Sequence, residues 1–495
     1  MSQVPKKDQT PISRNIVENE AELKKRLGFG TSFDVGVRTL TILDKHIQMY
    51  FVNGLCDNQY IIELLKELMD LDSRGRKTAS TNVNQAIINH LPHVQVEFVK
   101  TLEDATTQML SGLVFILVEG EEQAIVIDVR SYPTRGPSEP DTERVVRGSR
   151  DGYTENIIIN TALTRRRIRD DRMRNEIMRV GTRSQTDICI SYIDGIVDPK
   201  MVEIIRKELE AINIDGLTMA DKIVEEYIVK QGMNPFPLVR YTERPDVAAT
   251  HLLEGHVIIM VDTSPSVIIT PTTFFHHVQH AEEYRQAPFI GTLLRWTRFI
   301  GIVFSLLILP FWLLLTMNPD LLPAALDFIG PNETTNIPVF LQILFAELGI
   351  ELLRMAAIHT PSPLATALGL VAALLIGEIA IEVGYFTPEV ILYVALGAIG
   401  MFATPSYELG IALRATRIFL IVAVAIFKAP GFIIGTTLFI FFLVAIKTFA
   451  KPYLWPFLPF DPPAIWQILV RSSVPSVRFR PSIVHPQDPV KQKSE

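Results

Sequence analysis

Cysteine is nearly absent from this chain of 495 residues: Cys56 and Cys189 are the two it has, far apart in sequence. A disulfide framework or a cysteine-based metal centre needs clustered thiols, so neither is expected, and both side chains read as reduced thiols of a cytosolic region. A basic excess is missing too, with 47 Lys and Arg against 54 Asp and Glu and a net charge of -7, so nucleic acid is not an expected partner. The polar start MSQVPKKDQTPISRN leads into no apolar stretch, and no cleaved signal is expected there. No glycine-rich loop ends in a phosphate-binding lysine, and the turn at Gly28 and Gly30 neither follows a strand nor completes a nucleotide fingerprint. No Ser-His-Asp ordering or HExxH pair occurs; His276, His277 and His280 beside Glu282 and Glu283 have metal-ligand spacing only in the loosest sense and read as a polar helix near a membrane. The sequence therefore supports no catalytic residue, no cofactor and no metal, and the protein is not expected to be an enzyme.

What is abundant is apolar sequence, and it is concentrated late. Runs at 299–317, 338–357, 364–383, 388–403, 409–427 and 431–449 follow a charged first half. A bilayer core takes about 20 apolar residues per helix. Pro361, Pro363, Pro405 and Pro430 punctuate the runs, so four to six crossings are expected, some re-entrant or interfacial. Arg285, Arg295 and Arg298 precede the first run, whereas the loop at 318–337 holds Asp320, Asp327 and Glu333 without Lys or Arg. By the positive-inside rule the first half is cytoplasmic, with Trp296 and Trp312 as interfacial anchors of the first span. Gly369, Ala373 and Gly377, and again Gly397 with Met401, offer small faces for close helix approach.

Two of the runs carry charge where lipid-facing helices do not. Glu347, Glu351 and Arg354 stack along one helix face by their spacing, and Glu378 and Glu382 lie four apart in the next run. A charge at the bilayer centre costs at least about 2.5 kcal/mol, so such groups turn to a bundle interior or to a wet cavity. The first three read as an intramembrane ion-pair face that fixes packing or a gate, or as a purely structural pair. Glu378 and Glu382 are candidates for a pore mouth, and Leu370, Val371 and Leu374 for a constriction closing by dewetting.

The first half alternates strand and helix patterns and divides at the turn-rich stretch 132–137. A hairpin through Leu43 and Asp44, a helix at 60–71, a strand at 93–100, a helix at 102–110 and a hairpin at 111–130 make one small α/β unit. A charge-dense helix at 156–178, a strand at 186–192, helices at 199–211 and 219–230 and strands at 257–261 and 266–270 make a second. The mixed-sign run TRRRIRDDRMR reads as a solvated helix laced with intrahelical pairs, or else as a contact surface for another subunit or anionic lipid. The expected organisation is a tail at 1–18, α/β subdomains at 19–145 and 146–285, a helical transmembrane domain at 286–470 with broken helices, and a basic, disordered cytosolic tail at 471–495.

Several stretches carry a family likeness. NTALTRRRIRD, VGTRSQTDICISYIDGIVDP, PFPLVRYTERPDVAATHLLEGHV and DTSPSVIITPTTFF in the first half, with FAELGIELLRMAAIHTPSPLATALGLVAALLIGEIAIEVGYFTPEV and FATPSYELGIALRATRIF in the second, resemble the A subunits of GerA-type spore germinant receptors. The likeness runs from about Ile16 to Val470. It implies a protein of the inner membrane of bacterial endospores, acting in germination beside other germination membrane proteins. It also implies a homo-oligomer around a central axis that passes monovalent cations, with membrane lipids around it. The competing expectations are a non-conducting scaffold that modulates other germination membrane proteins, and a membrane-bound enzyme or transporter, for which no catalytic constellation is present.

Overall fold

Leu43 and Asp44 both take positive φ, 51° and 59°, and so form the two-residue turn that matches the twist of a hairpin. Strands β1 (Val35–Ile42) and β2 (Lys45–Val52) pair antiparallel across it, from Ile42 opposite Lys45 to Val35 opposite Val52. The structure, a computed structural model, describes residues 10–75, 83–91, 95–132, 143–322, 329–330, 337–359, 369 and 378–492. Its first α/β half adds α1 (Ile16–Leu27), α2 (Asn58–Gly75), α3 (Val83–His90), β3 (Val96–Val99), α4 (Leu102–Met109), β4 (Val114–Val118) and β5 (Ala124–Ile127), in an antiparallel sheet of order β1-β2-β4-β5-β3. Side chains alternate faces along a strand. Tyr50, Phe115, Leu117 and Val126 therefore pack with Leu23, Leu27, Leu102 and Met109, while Met49, Ile116 and Ile125 pack on the other face with Leu64, Leu68 and Ile87. Helices cover both faces, which is why β4 and β5 read as unbroken apolar runs.

The second half repeats the first. Helix α5 (Ile157–Arg167) precedes β6 (Met173–Val180), β7 (Thr186–Ile193), α6 (Pro199–Glu210), α7 (Ala220–Val229), β8 (Arg240–Thr242), α8 (Pro245–Glu254), β9 (Val257–Val261) and β10 (Val267–Thr270). The sheet order β6-β7-β9-β10-β8 is that of the first sheet, strand for strand. The leading helices start alike as well. Asn15 caps α1 and Asn156 caps α5 with side-chain oxygens, and Asn19 and Asn160 each hold both backbone polar groups of the residue six back, Ser13 and Thr154.

Two expectations are corrected here. The run at 156–178 is not one helix: α5 stops at Arg167, and Asp170 holds Arg172 at the turn into β6. Nor is Arg165 solvated; at 1% side-chain exposure it donates to both Asp34 oxygens, 2.9 and 3.1 Å away. Residues 474–492 are ordered rather than a free tail. Ile483 and Val484 are buried, Gln487 donates to the carbonyls of Ile196 and Val197, and Lys491 pairs with Glu254.

The chain divides into two compact units, one holding both sheets with the segment from 474 on, the other residues 233–238 and 272–473. The second unit is helical: α9 (Ala281–Arg285), α10 (Pro288–Met317), α11 (Val339–His359), α12 (Pro388–Phe402), α13 (Tyr407–Ala445) and α14 (Pro462–Leu469). Helices α10 and α13 are long and apolar enough to cross a membrane. Lys428, at φ 54° and ψ -132°, breaks α13 just before Pro430. Leu309 and Leu313 of α10, Ile343 and Ala346 of α11, Val390 and Val394 of α12 and Ile421 and Val424 of α13 form one core. Trp312 sits in that core rather than at an interface: it is 1% exposed, stacks on Tyr393 and donates to the Ile329 carbonyl.

Candidate functional site

Helix α11 is anchored at its start by a buried amide. Gln342 donates to the Ile337 carbonyl and accepts from the backbone N–H of Thr387, the N-cap of α12, at 2.8 and 2.9 Å. The next turns carry Glu347, Glu351 and Arg354. Glu351 and Arg354 pair three residues apart, as their spacing requires, and Arg354 also donates to the Tyr407 hydroxyl at the start of α13. Glu347 turns elsewhere. Its carboxylate is 2% exposed and meets Arg414 at 3.1 Å and Arg417 at 2.8 Å, both from α13, while Arg414 also reaches Glu351. Arg417 goes further, donating to the carbonyls of Ser305 on α10 and Gly397 on α12, so one buried guanidinium ties four helices together.

Removing two such charges from water costs several kcal/mol per ion, which is recovered only when geometry and additional hydrogen bonds are good. Here the bonds to Ser305 and Gly397 supply what the carboxylate alone does not. Three guanidinium groups face two carboxylates, so the cluster carries a formal surplus of positive charge. The sequence marked Glu347, Glu351 and Arg354 by helical spacing, but it could not show that Arg414 and Arg417, at the start of a different apolar run, complete the network.

Glu378 and Glu382 lie in and beside the short helical turn Ala380–Glu382, both exposed and flanked by exposed Ile379 and Val383. The structure does not bring them to the buried cluster's Glu347. Leu370, Val371 and Leu374 fall outside the described residues, as do Ala373 and Gly377. The histidines expected on one helix are divided: His276 belongs to a 3-10 turn, where its Nδ1 accepts from the Thr273 N–H, and His280 caps α9. Arg295 and Arg298 both pair with buried Glu283, and Arg295 also donates to the carbonyls of Gln467 and Ile468 at the end of α14, where a cation meets the negative end of the helix dipole. The thiols of Cys56 and Cys189 are free and buried; burial pushes Cys56 up to about 11 and Cys189 higher still, so neither is nucleophilic.

Two antiparallel α/β halves followed by apolar helices pinned by buried ion pairs define a helical, membrane-type protein with a large folded domain outside its apolar part. The chain matches the family described as Bacillus/Clostridium GerA spore germination protein over residues 21–483, and it belongs to that family. It is 60% identical over 487 residues to Stage V sporulation protein AF of Bacillus subtilis, covering 98% of each chain. It is 31% identical over 487 residues to Spore germination protein KA of the same organism, covering 97% of this chain and 89% of that one. Among solved structures it is similar to the N-terminal domain of the A subunit of the Bacillus megaterium spore germinant receptor GerK3, at 28% identity and a TM-score of 0.42, covering 54% of this chain and 99% of that one.

Proposed function

We propose that this protein is a membrane subunit of the spore germination apparatus, set in the spore inner membrane with its α/β region on the cytoplasmic, core side. Copies of it surround a central axis and conduct monovalent cations during germination. The observation that carries the reading is the placement of charge in the apolar unit: Glu378 and Glu382 are exposed, whereas Glu347 and Glu351 are bound by arginines. Exposed carboxylates beside apolar helices are costly in lipid and favourable where a hydrated route passes. On this reading they attract cations at the mouth, Leu370, Val371 and Leu374 form the apolar constriction, and the Glu347 cluster fixes the helices around it.

Potassium flux through reconstituted protein tests this. Glu378→Gln, Glu382→Gln and the double substitution are expected to lower cation conductance and its selectivity over anions. Unchanged conductance and selectivity in the double variant remove these residues from the pathway. A second reading, a non-conducting scaffold for other germination membrane proteins, is favoured by the positive surplus of the Arg354, Arg414 and Arg417 cluster, which repels cations locally. It expects folded, inserted protein to pass no ions at all.

A further inference from the structure

The apolar segment at 456–469 follows the last long helix and is too short to cross a membrane. The eight residues of α14 rise about 12 Å, against about 30 Å for a bilayer core. Nor does the segment turn inward. Phe457 and Phe460, in the loop before α14, are exposed, Phe460 at 73%, and so is Trp466 on the helix, at 62%. Ala464 and Ile468, four residues apart, form the buried face of α14. The segment is fixed beside the first turns of α10. Phe457 stacks on Phe275 at 5.1 Å between ring centroids, and Phe275 meets Phe299 at 6.4 Å. Arg295 donates to the carbonyls of Gln467 and Ile468, and the Arg471 N–H donates to the Thr292 hydroxyl at 3.1 Å. Those turns of α10 carry an exposed stripe of their own, Phe289, Leu293 and Trp296, which runs on through Ile300.

An exposed apolar patch that runs across several elements marks a contact with a protein or a membrane. Continuity with α10 decides between them, because α10 is long and apolar enough to cross a membrane and the patch extends the exposed stripe of its first turns. Aromatic rings collect at the headgroup level of a bilayer. A helix with one apolar face lies in that plane rather than across it. We propose that residues 456–469 bind the lipid interface of the membrane, with α14 parallel to its surface and Phe457, Phe460 and Trp466 at the boundary between headgroups and acyl chains. The Arg295 guanidinium satisfies the carbonyls at the end of α14, so the helix stops there without leaving them unpaired in apolar surroundings. Bound in this way, the segment sets the depth at which α10 enters the membrane. The inference rests on α10 crossing the membrane and is independent of conduction.

The test uses the full-length protein in vesicles of phosphatidylcholine and phosphatidylglycerol, the phosphatidylcholine being brominated either near the headgroup end of its acyl chains or near their tips. The emission lost in Trp466→Phe, a change at an exposed position that leaves the fold intact, is that of Trp466 itself. Shallow bromines are expected to quench it about twofold or more strongly than deep ones, as the depth of an interfacial helix requires. Phe304→Trp, made in the Trp466→Phe background at an exposed position of α10, should be quenched at least as strongly by the deep bromines. No quenching there by either lipid overturns the membrane reading of α10, and this inference with it. With Phe304→Trp quenched, a Trp466 that neither lipid quenches overturns the proposal alone. Acrylamide then shows whether the face stands in water, where it is quenched, or under a second protein copy, where it is shielded. Stronger quenching of Trp466 by the deep bromines also overturns the proposal, since the segment then enters the acyl core.

Discussion

Arg417 holds Glu347 through one guanidinium nitrogen, 2.8 and 2.9 Å from the two carboxylate oxygens, with each side chain 2% exposed. Removing one partner strands the other charge in an apolar bundle, a loss of about 3–5 kcal/mol for a buried pair. Arg417→Leu is therefore expected to lower the unfolding midpoint of the detergent-solubilised protein sharply. Removing both charges in Glu347→Leu/Arg417→Leu should recover much of that loss, although Arg414 then lacks one partner. Thermal unfolding followed by the tryptophans, all four of which lie in the helical unit, measures both. A double variant less stable than the sum of the singles contradicts this account.

A second buried pair joins the two α/β halves. Asp34 lies just before β1 and accepts from Arg165 of α5 and, at 2.9 Å, from the Asn175 amide of β6; Asn175 in turn accepts from Ser191, 2.7 Å away and beside Cys189. Asp34→Asn leaves the Arg165 guanidinium buried without its counter-charge, so a destabilisation of about 3 kcal/mol or more is expected. Cys189, fully buried, provides the readout. Its labelling by a thiol reagent in urea should move to clearly lower denaturant in Asp34→Asn, while labelling in native buffer stays slow.

The hairpin at Leu43 and Asp44, the covered strands β4 and β9 and most helices were legible because each is a local pattern of period two or 3.6 bounded by turn residues. The charge run near Arg165 was misread for the opposite reason. Dense mixed charge reads as a solvated helix unless a partner far away in sequence buries it, and nothing local to Arg165 points to Asp34. The duplication was within reach: Ser13, Asn15 and Asn19 recur as Thr154, Asn156 and Asn160 at one constant offset, and only their paired capping and backbone bonds reveal the match. In the helical unit the spacing of Glu351 and Arg354 is that of a pair on one helix, whereas Glu347 turns to another helix. The completion of the cluster by Arg414 and Arg417 is tertiary, and so is the burial of Trp312, whose sequence position is equally that of an interfacial anchor.

Acid should weaken the second α/β half. Burial holds the His256 imidazole down at about 4, and His251, in edge contact with it at 5.0 Å between ring centroids, is also held well below its usual value by burial and by its neighbour. An unfolded histidine takes up its proton near about 6.5. The unfolded chain thus binds protons first as pH falls, so stability is intact above that value and is lost between there and about 4. His256 alone removes about 2 kcal/mol by pH 5. His256→Gln, which retains a donor for the Pro271 carbonyl, should flatten the pH dependence of Cys189 labelling across this window. An unchanged slope would show that His256 is not the group responsible.

Helices α10 and α12 meet through backbone. A Cβ added at Gly400 would lie 2.3 Å from the Gly301 carbonyl oxygen and 3.0 Å from the Ser305 N, distances that neither helix can relieve by rotating a side chain. The same contact brings Ser305 and Gly397 close enough for Arg417 to bond both carbonyls. Small residues at helix crossings serve this close approach in apolar surroundings, where dispersion and hydrogen bonds hold helices together. Gly400→Ala is therefore expected to push the helices apart and cost about 1–3 kcal/mol, with part of the loss coming from the stretched Arg417 bonds. The coupling separates this from simple overpacking. In a Glu347→Leu/Arg417→Leu background the same glycine substitution should cost measurably less, and an identical decrease in unfolding midpoint in both backgrounds would mean that the crossing and the ion network are independent.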